Sequence, residues 1–161
     1  MKTIYLAGGC FWGTQKFFDQ FDGVLKTTVG YANGEKADPT YEEVCNDSGH
    51  AETVKVEYDE KRMPTRELLK DYFMVIDPTS INRQGGDTGI QYRTGIYYED
   101  VSLLPEIREV VEEEQKKYAA PLAVEVMPLQ SFYDAEEYHQ KYLDKNPGGY
   151  CHISPQLMHL V

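Results

Sequence analysis

Ile4-Tyr5-Leu6-Ala7-Gly8-Gly9-Cys10-Phe11-Trp12-Gly13-Thr14 opens the chain on a strand, a break and a helix. The apolar run at 4–7 has the length of a buried strand, and two glycines end it. From 11 to 21 the residues Thr14, Phe17, Phe18 and Phe21 fall at helical spacing. Cys10 therefore sits at the junction, in the first turn of the expected helix. Outward from this unit, 25–29 reads as a second strand. The Gly, Asn, Asp and Pro-rich stretch 30–49 follows, of a length that marks functional loops more often than passive connectors. Val54, Val56 and Tyr58 then alternate with Lys55, Glu57 and Asp59, the period of a strand with one wet face.

The pattern continues with Thr65 as cap of a helix whose Leu68, Leu69, Tyr72, Phe73 and Ile76 form one stripe, ended by Asp77-Pro78. A second long loop covers 77–90. A strand is expected at 92–98, then a helix capped by Ser102 and running to about Tyr118, with Glu112-Glu113-Glu114 outward. Another strand is expected at 122–127. Asp134 and Glu137 have the spacing of a capping box for a last helix to Leu143, and from about 145 the sequence loses any period. The order βαβ, βαβ, αβ, α predicts one sheet with helices packed on it, a small sandwich in a single domain spanning 1–161.

The 161 residues are 41% hydrophobic and 27% charged, enough apolar surface for a folded core. The formal charge of −11 repels phosphate backbones and anionic lipid, which argues against a nucleic-acid binder or a membrane anchor. No window approaches the roughly 20 apolar residues of a membrane span, and the opening apolar run is too short for a signal-peptide core. Three widely spaced cysteines, Cys10, Cys45 and Cys151, make a poor disulfide framework and suit a reducing compartment. A cytoplasmic protein is expected.

Cys10 is the first candidate for chemistry. A helix N-terminus favours an anion and lowers a thiol pKa, making a nucleophile, although a cysteine there can equally be a small buried hydrophobe. Phe11 and Trp12, beside two glycines, would wall a pocket around the sulfur or simply pack in the core. Glu52 has the parity of Val54, Val56 and Tyr58, so a strand that reaches it turns its carboxyl inward. Burial then raises the carboxyl pKa and leaves an acid able to donate at neutral pH; a frayed strand end in water is the alternative. Tyr41, Asp87 and Tyr92 lie in or beside the long loops, where phenols could donate to a substrate oxygen, but with 13 tyrosines any one of them could be packing. Cys151 follows Asn146-Pro147-Gly148-Gly149-Tyr150, a context that suits a thiol travelling to another sulfur. Cys45 has no such context and reads as a buried cysteine.

Metal and phosphate sites find little support. The cysteines and His50, His139, His152 and His159 lack chelating spacing for zinc, and the segment 8–13 has neither a P-loop lysine nor dinucleotide spacing. A cysteine hydrolase with His50 or His139 as base lacks a local signature. A non-catalytic redox sensor, with Cys10 as an oxidant-sensitive switch beside an aromatic pocket, is a further alternative.

Gly9-Cys10-Phe11-Trp12-Gly13 resembles the signature of the peptide methionine sulfoxide reductase A family. Four further segments resemble the family in order: 39–45 (PTYEEVC), 49–52 (GHAE), 82–87 (NRQGGD) with 91–93 (QYR), and 138–143 (YHQKYL). The likeness spans about 4–153. Asn33 and Gly86 depart from the commonest family forms at positions without a catalytic role.

The resemblance implies thiol-dependent reduction of the S epimer of methionine sulfoxide, free or in proteins, and hence repair of oxidised proteins. It implies Cys10 as nucleophile, Glu52 as the acid protonating the sulfoxide oxygen, Tyr41 and Tyr92 as donors to that oxygen and Asp87 in support. Phe11 and Trp12 would form the methyl pocket. A Cys10 sulfenic acid would condense with Cys151, the resolving cysteine of the tail, and no cysteine follows it to relay the disulfide onward. Thioredoxin, or a dithiol such as DTT, would be the reductant, with no bound cofactor or metal and a monomeric enzyme. The implied fold is an α+β two-layer sandwich with a mixed sheet, related to the ferredoxin-like plait.

Overall fold

The computed structural model describes residues 1–34, 39–45, 48–146, 148, 149, 153, 157 and 158. The opening run forms β1 (Lys2–Ala7), and the two glycines lead into α1 (Phe11–Asp19). Both glycines are required by geometry. Gly9 has φ 79°, and a Cβ on Gly8 would lie 2.5 Å from Ile76 Cγ2. The sharp turn between strand and helix therefore seats Cys10 directly ahead of α1.

β2 (Val24–Ala32) runs three residues beyond the expected strand, and after a gap in the described residues α2 (Tyr41–Cys45) supplies one helical turn that the sequence reading left as loop. β3 (Ala51–Tyr58) extends back to include Glu52, opposite Tyr31 of β2. α3 (Thr65–Met74) has Pro64 at its cap, while Thr65 Oγ1 instead donates to Glu60 at 2.8 Å and lies 2.6 Å from the Tyr58 hydroxyl. The second loop contains a small hairpin of β4 (Arg83–Gln84) and β5 (Asp87–Thr88), then a 3₁₀ turn, Ile90–Tyr92. Tyr92 thus belongs to that turn and not to β6 (Gly95–Tyr98). Asp100 rather than Ser102 provides the cap, accepting from Ser102 N, and α4 (Leu104–Gln115) follows a 3₁₀ turn. Glu114 is buried against expectation, its carboxylate held by Lys117 at 2.9 Å.

The last expected helix does not form as read. Asp134 is taken into β8 (Phe132–Asp134), which pairs with β2 and follows β7 (Glu125–Pro128). A 3₁₀ turn, Glu137–His139, and the short α5 (Tyr142–Lys145) replace the helix. Tertiary bonds outcompete the capping box here. Gln140 Oε1 accepts from Val29 N at 3.0 Å and its Nε2 donates to Val29 O at 2.9 Å, so the side chain extends the β2 ladder, and Lys141 takes φ 56° behind it.

The sheet order is β7-β6-β1-β3-β2-β8, antiparallel throughout except for the parallel β6–β7 pair. This is an α+β fold with a mixed sheet. Ile4, Leu6, Val29, Val54, Val56 and Ile96 face α1, α3 and α4 in the main core, each such side chain contributing about 1.5–3 kcal/mol by burial. The opposite face holds a smaller cluster of Tyr5, Ala7, Ala32, Ala51 and Tyr97. Ile153 is buried in the main core, and Leu157 O accepts from Gln20 Nε2 at 2.8 Å. No helix among the described residues is long and apolar enough to cross a membrane.

Candidate active site

Cys10 is 7% exposed at the head of α1, and the turn carrying it is pinned from the side by Gly9 N donating to Tyr92 O at 3.3 Å. That bond brings the 3₁₀ turn of Tyr92 against the cysteine. β3 completes the junction. Its Glu52, 1% exposed, accepts from Phe11 N through Oε1 at 3.2 Å, using one of the backbone donors that a helix start leaves open. Oε2 is buried with no hydrogen-bond partner among the described residues. Burial pushes the Glu52 carboxyl up to about 8; the Phe11 N–H opposes the shift and the charge of Asp87 adds to it. At neutral pH this is a protonated acid within a helix turn of a thiol.

A raised acid has a stability signature. The unfolded carboxyl ionises near roughly 4.3. Between that value and about 8 the unfolded chain has released a proton that the folded chain keeps, so stability falls as pH rises through this window. Glu52→Gln removes the penalty. The variant is expected to gain stability relative to the parent between about pH 5 and about pH 8, by a few kcal/mol at the upper end, in paired urea titrations. A difference independent of pH would contradict a protonated Glu52.

Tyr41, Tyr92 and Asp87 gather around the same acid. Burial raises both phenols far above their usual range, and the charge of Glu52 is the next contributor in each case; Asp87, Cys10 and Cys45 act further on Tyr92. Tyr41 stands at the start of α2 with its N–H donated to Glu136 Oε2 at 3.0 Å, and the same carboxylate accepts from the Tyr31 hydroxyl at 2.8 Å. Cys45 is exposed, not buried as expected, and its thiol is raised by burial of the sulfur and by Glu52, with the Tyr41 hydroxyl opposing. Asp87 comes from β5.

Phe11 is 1% exposed, its ring 5.8 Å from Tyr31 and 5.3 Å from His139. Trp12 stacks on Tyr142 at 3.8 Å, nearly parallel at 13°, and donates its indole N–H to His139 Nδ1 at 2.9 Å. His139 entered the sequence reading only as a possible hydrolase base or zinc ligand, and Glu136 and Tyr142 had no assigned place. The signal for His139 and Tyr142 was the 138–143 block itself, quoted without roles, and Glu136 lies outside it. Cys151 lies outside the described residues. A cavity of about 590 Å³ lined by Lys70, Phe73, Met74, Ile76, Glu113 and Lys117 contains none of the candidate residues.

A buried thiol at a helix head, a buried carboxylic acid on the adjoining strand, two phenols and aromatic rings thus come together at one junction of the fold. Residues 2–159 match the family model described as peptide methionine sulfoxide reductase. The chain is 63% identical over 153 residues to the peptide methionine sulfoxide reductase MsrA of Lachnoclostridium phytofermentans, covering 94% of this chain and 92% of that one. The reduced form of Mxr1 from Saccharomyces cerevisiae superposes with a TM-score of 0.89 at 44% identity, covering 93% of this chain and 88% of the other. Mxr1 solved in complex with Trx2 matches with a TM-score of 0.64 at 32% identity, covering 88% and 84%. The chain belongs to the peptide methionine sulfoxide reductase family and is an oxidoreductase.

Proposed function

We propose that the chain reduces the S epimer of methionine sulfoxide, free or within oxidised proteins, with the gathered residues in the following roles. The Cys10 thiolate attacks the sulfoxide sulfur while Glu52 passes its proton to the oxygen, with Tyr41 and Tyr92 donating hydrogen bonds to that oxygen and Asp87 holding the acid's environment. Methionine leaves and Cys10 becomes a sulfenic acid, the oxygen having moved from one sulfur to the other. Condensation with the Cys151 thiol forms a disulfide and releases water, and a dithiol then returns both cysteines to thiols. The sum is one sulfoxide and two thiols converted to one sulfide, one disulfide and water.

The observation that carries this reading is Glu52. A sulfoxide oxygen leaves only once protonated, and a carboxyl held near 8 by burial, beside the cysteine at the head of α1, is the donor the step requires. The Tyr41 hydroxyl, kept protonated by burial, would donate to the sulfoxide oxygen. Phe11 and Trp12 would take the methyl group. Interchanging methyl and oxygen would strand a polar atom in that wall, which selects one epimer.

Thioredoxin is the proposed reductant, supported by the relative Mxr1, whose complex with Trx2 has been solved. The chain would work as a single catalytic domain and as a monomer in the cytoplasm, without a bound cofactor. The strands β1, β2, β3 and β6, ordered β6-β1-β3-β2 with α1 and α3 as crossovers, support reading the centre of the fold as a ferredoxin-like plait. A turnover assay with thioredoxin, its reductase and each epimer of a methionine sulfoxide peptide tests the function. Methionine is expected from the S epimer alone. Equal release from both epimers would overturn the pocket assignment, and binding without product would favour the sensor.

A further inference from the structure

We propose that Gln84 is a positioning residue for this reaction: its side-chain amide, bonded in both directions to the backbone of Asp77, fixes which face of the β4–β5 hairpin turns inward and so directs Asp87 toward Glu52. The proposal rests on the reading of Glu52 as the acid given above. Gln84 is 2% exposed, its Oε1 accepting from Asp77 N at 2.7 Å and its Nε2 donating to Asp77 O at 2.8 Å. The amide thus stands in for a backbone partner of that residue. The anchor is itself held. The Asp77 carboxylate accepts from Thr79 N at 3.2 Å and from Ser80 Oγ at 2.8 Å, and Pro78 O accepts from Ala123 N at 2.7 Å.

Across the hairpin Arg83 pairs with Thr88 and Gln84 with Asp87, joined by Gly85-Gly86, where Gly85 takes φ 58° as the favoured two-residue turns require. Side chains of directly opposed residues lie on one face of a strand pair. The exposed Arg83 and Thr88 mark the outer face, so the buried Gln84 puts Asp87 on the inner one, where Asp87 Oδ2 is buried. A slip of one residue would send that carboxylate to solvent. Around Glu52 stand Asp87 from β5, Tyr92 from the 3₁₀ turn, Tyr41 and Cys45 from α2, Tyr31 from β2 and Cys10 at the head of α1. Asp87 is the one carboxylate among these, and its charge adds to burial in holding Glu52 near 8. The hairpin that Gln84 orients therefore carries a charge that keeps the acid protonated.

The anchor is tested first in the parent protein, labelled with ¹³C and ¹⁵N. Coupling across the hydrogen bond from the Gln84 side-chain N–H to the Asp77 carbonyl carbon is expected, and a Gln84 amide that exchanges freely with water would overturn the proposal with no variant involved. The consequence is read from the single-turnover rate against pH with the S epimer of a methionine sulfoxide peptide. Gln84→Met keeps the length of the side chain and loses both bonds. With Asp87 no longer held inward Glu52 ionises more readily, so the alkaline fall in rate should move to lower pH by about half a unit, a loss of about twofold at pH 8 and less at pH 6. Asp87→Asn should move the limb in the same direction, and in that background Gln84→Met should add no displacement. If Asp87→Asn moves the limb and Gln84→Met only lowers the rate equally at every pH, the positioning role fails while the acid stands. If the parent shows no alkaline fall, the reading of Glu52 itself fails.

Discussion

Glu52→Gln slows sulfoxide reduction by about 10²–10⁴-fold, the usual contribution of a general acid, and the loss of rate above neutrality disappears with it. Glutamine preserves the shape and can still accept from Phe11 N, so the helix start stays in place. What it lacks is a transferable proton. In the parent the acid form predominates below about 8, so the rate of the chemical step falls as pH rises through that value. The variant has no group to titrate there, and its profile over the same range is flat on this limb. The check is a single-turnover rate measured against pH, which keeps reductant binding out of the observed constant. A variant as fast as the parent, or one that retains the alkaline fall, would remove Glu52 from the role of acid.

The second large effect separates the two cysteines. Cys10→Ser is expected to abolish methionine formation altogether, since a hydroxyl at that position neither attacks the sulfoxide sulfur nor accepts its oxygen reversibly. Cys151→Ser is expected to release one equivalent of methionine and then stall with thioredoxin as the reductant. A small dithiol in excess should restore turnover in that variant by attacking the Cys10 sulfenic acid directly. Multiple turnovers of Cys151→Ser with thioredoxin would assign the resolving step elsewhere, and the exposed Cys45 would be the next thiol to substitute.

Much of the site was legible because local patterns carry it. The Gly8-Gly9 break between an apolar run and a 3.6-residue period places Cys10, and the alternation from Tyr58 back to Val54 places Glu52 on the inner face once the strand is long enough. Strand length is a tertiary matter. β3 reaches Ala51 because Ala32 of β2 pairs with it, a partner no spacing reveals. The same limit explains the C-terminal segment, where Asp134 and Glu137 have the spacing of a cap yet Asp134 pairs with Gly30 of the sheet. Trp12 and His139 are 127 residues apart, so their bond exists only once the sheet and the 136–139 turn are assembled. Glu114 is similar. The acidic run reads as solvated, and only a buried position with its lysine three residues on makes one member of it structural.

The central claim is that one sulfoxide oxygen is taken up by Cys10 and resolved by Cys151, and it is tested by a single-turnover experiment. Fully reduced protein is mixed, without external reductant, with the separate epimers of a methionine sulfoxide peptide, and the cysteines are then mapped by mass. The account predicts one equivalent of methionine from the S epimer alone, with Cys10 bridged to Cys151. No methionine from fully reduced protein, or one equivalent with Cys10 still a thiol, would contradict it.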